Sequence, residues 1–129
     1  SNMKSSEIDS TIFTGKKIND ATMYMLISDV VVLPSSGGLS VVQGFACSKP
    51  FIGSKEIEHG GIRDYVDHGI NGYLFDEDNQ EHLYKYLETL FQNNYLLEKM
   101  SMAALEKSYE LSVKNMVKGF NNAIKYSIK

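Results

Sequence analysis

Val30-Val31-Val32-Leu33, stopped by Pro34, limits what this chain can fold into more than any other stretch. Four consecutive apolar residues, three of them β-branched, suit an extended backbone. A strand with one face in water would alternate apolar and polar residues. An unbroken run reads as a parallel strand buried on both faces. Such a strand reaches its neighbour only through a crossover, normally a helix. The following residues fit: Ser35-Ser36-Gly37-Gly38 is a polar loop, Leu39 to Ala46 has helical character, and Phe51-Ile52-Gly53 is a second short buried strand after Pro50.

The same alternation extends both ways. Ile8 to Phe13, ended by Gly15, reads as a strand, and Asn19 to Ile27 as a helix with Asn19 or Asp20 as N-cap. Gly60-Gly61 opens a short helix, Ile62 to Asp67, which Gly69 ends as a left-handed cap. Gly72-Tyr73-Leu74-Phe75 is a last strand. Asp78-Asn79-Gln80-Glu81 resembles a capping box with Asp78 as N-cap and Glu81 reaching back. The helix after it carries Leu83, Leu87, Leu90 and Phe91 on one face. A second helix is expected over Tyr95 to Tyr109, and a third from Ser112, with Val113, Met116, Val117, Phe120 and Ile124 at helical spacing. All these stripes are expected to face the core. The fold class is therefore α/β: a partial Rossmann-like parallel sheet of about four strands, near Ile12, Val31, Phe51 and Leu74, with a C-terminal tail of three helices.

Composition narrows the function classes. The 129 residues suffice for one domain with a real core and are too few for two of ordinary size. Ser1-Asn2 before Met3 reads as a cleavage scar from expression, which leaves residues 3–129 as a single domain. Net charge is −3 and the lysines, mostly in the helical tail, form no evident stripe. Binding to nucleic acid or to an anionic membrane thus has no visible electrostatic support. The single cysteine, Cys47 in an apolar stretch, excludes an intrachain disulfide framework and reads as a small buried residue. It suits a reducing cytoplasm. No apolar run approaches a spanning helix, and no secretory signal is visible.

Chemistry is expected beyond the carboxyl ends of the strands, where open parallel sheets bind ligands. The best such place is Leu33-Pro34-Ser35-Ser36-Gly37-Gly38-Leu39-Ser40. A buried strand ends there, two glycines let backbone approach a ligand, and a helix begins. The first amides of a helix lack intrahelical partners and carry the positive end of its dipole, an arrangement suited to a phosphate or diphosphate. A plain strand–helix turn that uses glycine for its backbone angles is the other reading. Elsewhere, His59, His68 and His82 have no metal-ligand spacing, and Asp64, Asp67, Asp76, Glu77 and Asp78 read as solvated charges. No nucleophile–base arrangement stands out, so no catalytic residue, metal or cofactor is implied.

The wider pattern resembles a known family. Leu33-Pro34-Ser35, then Gly38-Leu39-Ser40-Val41-Val42-Gln43-Gly44-Phe45-Ala46-Cys47-Ser48-Lys49-Pro50-Phe51-Ile52, is similar to the signature of the retaining group 1 (family 4) glycosyltransferases of the GT-B fold. Gly60-Gly61-Ile62-Arg63-Asp64-Tyr65-Val66 and Asp67-His68-Gly69-Ile70-Asn71-Gly72-Tyr73-Leu74 resemble the family's next block. Phe13-Thr14-Gly15 with Asn19-Asp20 resembles the segment before it. The resemblance covers nearly the whole chain, in order.

It implies a partial C-terminal, donor-binding domain that takes a nucleoside-diphosphate sugar, with an N-terminal acceptor domain in the intact protein. Ser35, Gly37, Gly38, Leu39 and Ser40 would hold the donor's diphosphate and sugar. Gln43 stands where the family usually has a Glu for the ribose hydroxyls, and Ser35, eight residues earlier, where its other Glu contacts the sugar. Gly15, Lys16 and Ile18 match the region along the nucleobase. Two further strands and a basic Arg/Lys pair that neutralises the diphosphate in the family have no counterpart before Ile8. Donor binding is therefore expected to be weak and the chain alone inactive. The intact enzyme would act in polysaccharide biosynthesis in the cytoplasm, peripheral to a membrane. A non-catalytic remnant serving as a binding or assembly module, and an unrelated small α/β nucleotide-binding or signalling domain, are the alternatives. Without the missing strands, Val30–Leu33 becomes an open sheet edge. Either Ile8–Phe13 folds in beside it, or two chains pair there as a homodimer.

Overall fold

The computed structural model describes residues 10–15, 20–34, 38–55, 62–76 and 78–127. Helix α1 (Ala21–Ile27) leads to strand β1 (Val31–Leu33), followed by α2 (Gly38–Ala46), β2 (Phe51–Ser54), the short α3 (Ile62–Tyr65), β3 (Gly72–Phe75), α4 (Gln80–Gln92) and α5 (Asn94–Ser127). The three strands are parallel in the order β1-β2-β3, with Val31 opposite Phe51 and Phe51 opposite Gly72.

Side chains alternate across the sheet, and both faces are covered. Val31, Leu33, Phe51 and Leu74 pack on one face with Val41 and Phe45 of α2, Val66, and Ala104 of α5. Val30, Val32, Ile52, Tyr73 and Phe75 pack on the other with Leu83, Leu87 and Leu90 of α4. Helix α5 serves both layers, giving Leu96, Leu97 and Met100 to the α4 side and Ala104 to the α2 side. The continuous apolar run at β1 thus packs on both faces, but its residues are half-buried rather than enclosed.

Several sequence expectations are corrected. No strand forms over the described residues 10–13 of the Ile8–Phe13 segment; Ile12 and Phe13 stand exposed. Residues 8 and 9 lie outside the described residues. Strand β1 is consequently an edge, with no described strand on its outer side. The N-cap of α4 is Asn79, whose carboxamide oxygen accepts from the His82 N–H at 3.1 Å, so the box built on Asp78 and Glu81 is out of register by one. The two helices expected over Tyr95–Tyr109 and from Ser112 are one helix of 34 residues, because no glycine or proline interrupts the run between them. Phe91 and the stripe Val113, Val117, Phe120 and Ile124 are exposed and do not face the core. The side chain of Met116, expected in the same stripe, lies outside those described. Cys47, at the end of α2, is half-buried rather than enclosed.

Candidate functional site at the start of helix α2

Helix α2 is placed by its inner face. Val41 and Phe45 are fully buried, each worth about 1.5–3 kcal/mol relative to exposure. The α2 backbone at Gly44 lies over β1 at a distance where a Cβ would stand in ordinary contact, 3.4 Å from Val31 Cγ2. These contacts aim the N-terminus of α2 at the carboxyl edge of β1, after Leu33-Pro34. Of the expected site, Ser35 and Gly37 lie outside the described residues, as do Lys16 and Ile18. Gly38 opens α2, Leu39 is 73% exposed, Ser40 is half-buried and Gln43 is exposed. Gln43 follows Leu39 and Ser40 by one helical turn, so the three share a flank of α2 open to a ligand. No acidic residue lies in the first turn to oppose an anion there. Gly15 has φ +70° and nothing within 4 Å of where its Cβ would be, a bare backbone of the kind a planar ring can lie along.

On another flank of α2, Val42 lines a cavity of about 490 Å³ shared with Asp64 and Tyr65 of α3 and Leu111, Lys114 and Lys118 of α5. Val42 is turned about 100° from Gln43 on the helix but lies one turn after Leu39, so this cavity adjoins the Leu39 side of that surface.

A polar cluster that inspection of the sequence missed sits past β2 and β3. Lys55 Nζ lies 3.5 Å from Asp76 Oδ1, and His82 Nδ1 lies 3.4 Å from Asp76 Oδ2. Nearby, Tyr73 and Tyr86 stack at 4.4 Å with His68 edge-on to both. The His68 Nδ1 accepts the Leu74 N–H at 3.0 Å and so caps the outer side of β3. That bond needs a neutral ring; burial first, then the Lys55 charge, hold the His68 pKa below its usual value. Burial and the neighbouring Tyr86 raise that of Tyr73. His68 thus has a structural partner, whereas the buried His82 Nδ1 near Asp76 makes no hydrogen bond, and His59 lies outside the described residues. Among the described residues, no group of three His, Cys, Asp or Glu side chains could hold a metal ion. The signal in the sequence was weak because the pairing depends on strand register, which puts Ser54 opposite Phe75 and carries Lys55 beside Asp76.

A parallel sheet with a glycine-opened helix over its carboxyl edge is common to many nucleotide-binding folds. Comparison with known proteins decides among them. The family model for glycosyl transferases group 1 matches residues 3–107. The chain belongs to the group 1 glycosyltransferases. An N-acetyl-alpha-D-glucosaminyl L-malate synthase of Bacillus anthracis is 31% identical over 105 residues, 79% of this chain and 26% of that protein. An uncharacterised glycosyltransferase of Methanocaldococcus jannaschii is 29% identical over 107 residues, 81% of this chain and 30% of that protein. The chain therefore spans less than a third of either relative. Among solved structures, the Anabaena protein HepE in complex with UDP shares the fold with a TM-score of 0.66 at 19% identity, over 82% of this chain and 30% of that one. The C-terminal domain of a group 1 glycosyltransferase from Francisella tularensis gives a TM-score of 0.66 at 19% identity, over 77% of this chain and 51% of that one. The chain thus spans about half the length of that solved domain.

Proposed function

We propose that this chain is the donor-side part of a glycosyltransferase that moves a sugar from a nucleoside diphosphate to an acceptor held by another domain. The observation that carries this reading is the position of the N-terminus of α2 at the carboxyl edge of β1, with Leu39, Ser40 and Gln43 along its first turns. The α2 amides would receive the diphosphate and offset the charge that grows on it as the sugar leaves. Ser35, Gly37 and Gly38 would complete that cradle, Gln43 would meet the ribose, and Gly15, Lys16 and Ile18 would run along the base. UDP is the natural probe, since the Anabaena neighbour holds it. The expected result is weak binding: amide shifts centred on Leu39, Ser40 and Gln43 in a titration with UDP. Hydrogen bonds to charged groups are worth about 1.5–3 kcal/mol each, so lacking two cationic contacts lowers affinity by about two to four decades. Micromolar affinity or measurable donor hydrolysis would contradict the expected weakness, and shifts at His68 and His82 with α2 silent would contradict the donor-site reading itself.

The alternative of a non-catalytic binding or assembly module draws on Ser35 and Gln43, which stand where the family resemblance has carboxylates. A neutral carboxamide makes weaker hydrogen bonds to hydroxyls than a carboxylate. Gln43→Glu should tighten UDP binding if the site is a donor site and leave it unchanged if it is not. We place the intact enzyme in the cytoplasm, where a lone thiol such as Cys47 stays reduced.

A further inference from the structure

The end of α5 is chemically unlike the rest of the chain. Nine Lys/Arg and 16 Asp/Glu precede Leu111; from Leu111 onward there are four Lys and no acid. The family match ends at residue 107, before this stretch. Val113, Val117, Phe120 and Ile124 are 55%, 51%, 66% and 40% exposed. Their spacing of four, three and four places them in one row along a continuous helix. Lys114, Lys118 and Lys125 each follow a member of that row by one residue, so all three lie on the same flank, about 100° round the helix. Read as scattered tail residues the lysines form no stripe; on the single helix of the structure they do.

We propose that this end of α5 lies on an anionic lipid surface, with Val113, Val117, Phe120 and Ile124 in the acyl boundary and Lys114, Lys118 and Lys125 at the headgroups. An apolar row flanked by lysines, opposed among the described residues only by Asp64 beside Lys114 and Lys118 and by Glu110 one turn before Lys114, is the pattern of an interfacial helix. No helix among the described residues is long and apolar enough to cross a membrane, so this one would lie in the surface. Charge complementarity selects the occupant. Pairing with the same helix of a second copy would bring lysine flanks together with no acid on the stretch to offset them. A nucleic acid would use the lysines but gain nothing from four large apolar side chains. Asp64, which lines the cavity beside Lys114 and Lys118, is the one acid of α3 on this side and leaves the excess positive.

The test is flotation of the 129-residue protein with vesicles of phosphatidylcholine, with and without phosphatidylglycerol, at low and high salt. Binding is expected only with phosphatidylglycerol and is expected to fall with salt. Replacing Lys114, Lys118 and Lys125 together by Gln should cut partitioning by about 100-fold, roughly five-fold for each charge. Phe120→Gln, which keeps every lysine, should also weaken it, with helicity by circular dichroism unchanged in both variants. Flotation that ignores phosphatidylglycerol, absence of flotation, or polyanion binding that Phe120→Gln leaves intact would overturn the proposal. So would a concentration-dependent dimer that Phe120→Gln dissolves.

Discussion

Ser48 closes α2 with φ 60°, a left-handed conformation that a residue with a Cβ seldom adopts. Its N–H donates to the Phe45 carbonyl at 3.0 Å, and the Lys49 N–H to the Gly44 carbonyl at 2.9 Å, the bond pair of a Schellman turn that normally ends in glycine. Ser48→Gly should therefore raise stability by about 0.5–1 kcal/mol, part of the left-handed strain being offset by a more flexible unfolded chain; urea unfolding reads this directly. Two other glycines separate by their surroundings. A Cβ at Gly72 would meet the Phe51 carbonyl oxygen at 2.0 Å, backbone that cannot yield without breaking the β2–β3 ladder, so Gly72→Ala should cost about 2–4 kcal/mol. At Gly44 the new methyl would make an ordinary contact with Val31, and Gly44→Ala should gain about 0.5–1 kcal/mol from helix propensity. His68 gives the fold a pH response. The folded chain holds its ring neutral with a lowered pKa, whereas the unfolded chain protonates it near the ordinary 6.5. As pH falls through that value the unfolded state binds more protons, so stability drops below about pH 6.5. His68→Gln, which can still accept from Leu74 N–H but does not titrate, should flatten the stability curve between neutral and mildly acid pH. An unchanged slope would mean that the Leu74 bond to His68 contributes nothing.

At the level of elements, legibility followed how directly local chemistry dictated each one. The β1, β2 and β3 segments were readable because unbroken apolar runs between glycine and proline admit few other structures. Helix α2 was readable from its glycine-opened start and its stop before Pro50. The expectation at Leu39 and Ser40 came from the strand–loop–helix order and that at Gln43 from the family resemblance, while the Lys55–Asp76–His82 cluster, set by register across strands, was not foreseen. The Ile8–Phe13 segment shows the limit of composition: a strand needs a ladder partner, and none of the described strands lies beside residues 10–13. Helix α5 shows the opposite error, a break placed where Ser112 follows Leu111 although one serine costs a helix little. Gly119 is the weak point of that helix, exposed and with nothing within 4 Å of where its Cβ would be. Gly119→Ala should stiffen the end of α5 and add up to about 1 kcal/mol, visible as slower amide exchange from Val117 to Phe120. Exchange unaltered there would mean the end of α5 frays independently of residue 119.

For the whole molecule, the open side of the sheet matters most. Val31 N–H donates to the Pro50 carbonyl at 3.1 Å, which fixes the ladder so that alternate β1 residues face β2 and the N–H and C=O of Val32 face outward. Around that edge α1 buries none of its residues, and Met23, Leu26 and Ile27 are exposed together with Ile12 and Phe13. A flat apolar edge with its neighbouring helix uncovered is a template for another strand. This chain spans about half of the Francisella glycosyltransferase domain. We propose that the homodimer the sequence suggested at Val30–Leu33, one of two possible repairs of that edge, also covers the exposed face of α1. Val32→Pro tests it, because proline removes the outward N–H while the Val31 bond to Pro50 remains. Sedimentation equilibrium should show a mass that rises with concentration for the unmodified protein and a monomer for the variant. Since Val32 also packs beneath α4, Ile27→Glu supplies a second variant that charges the exposed patch without touching the core. It too should shift the equilibrium toward monomer. A protein monomeric at all concentrations, or a dimer indifferent to both changes, would show that this edge is covered within the chain itself.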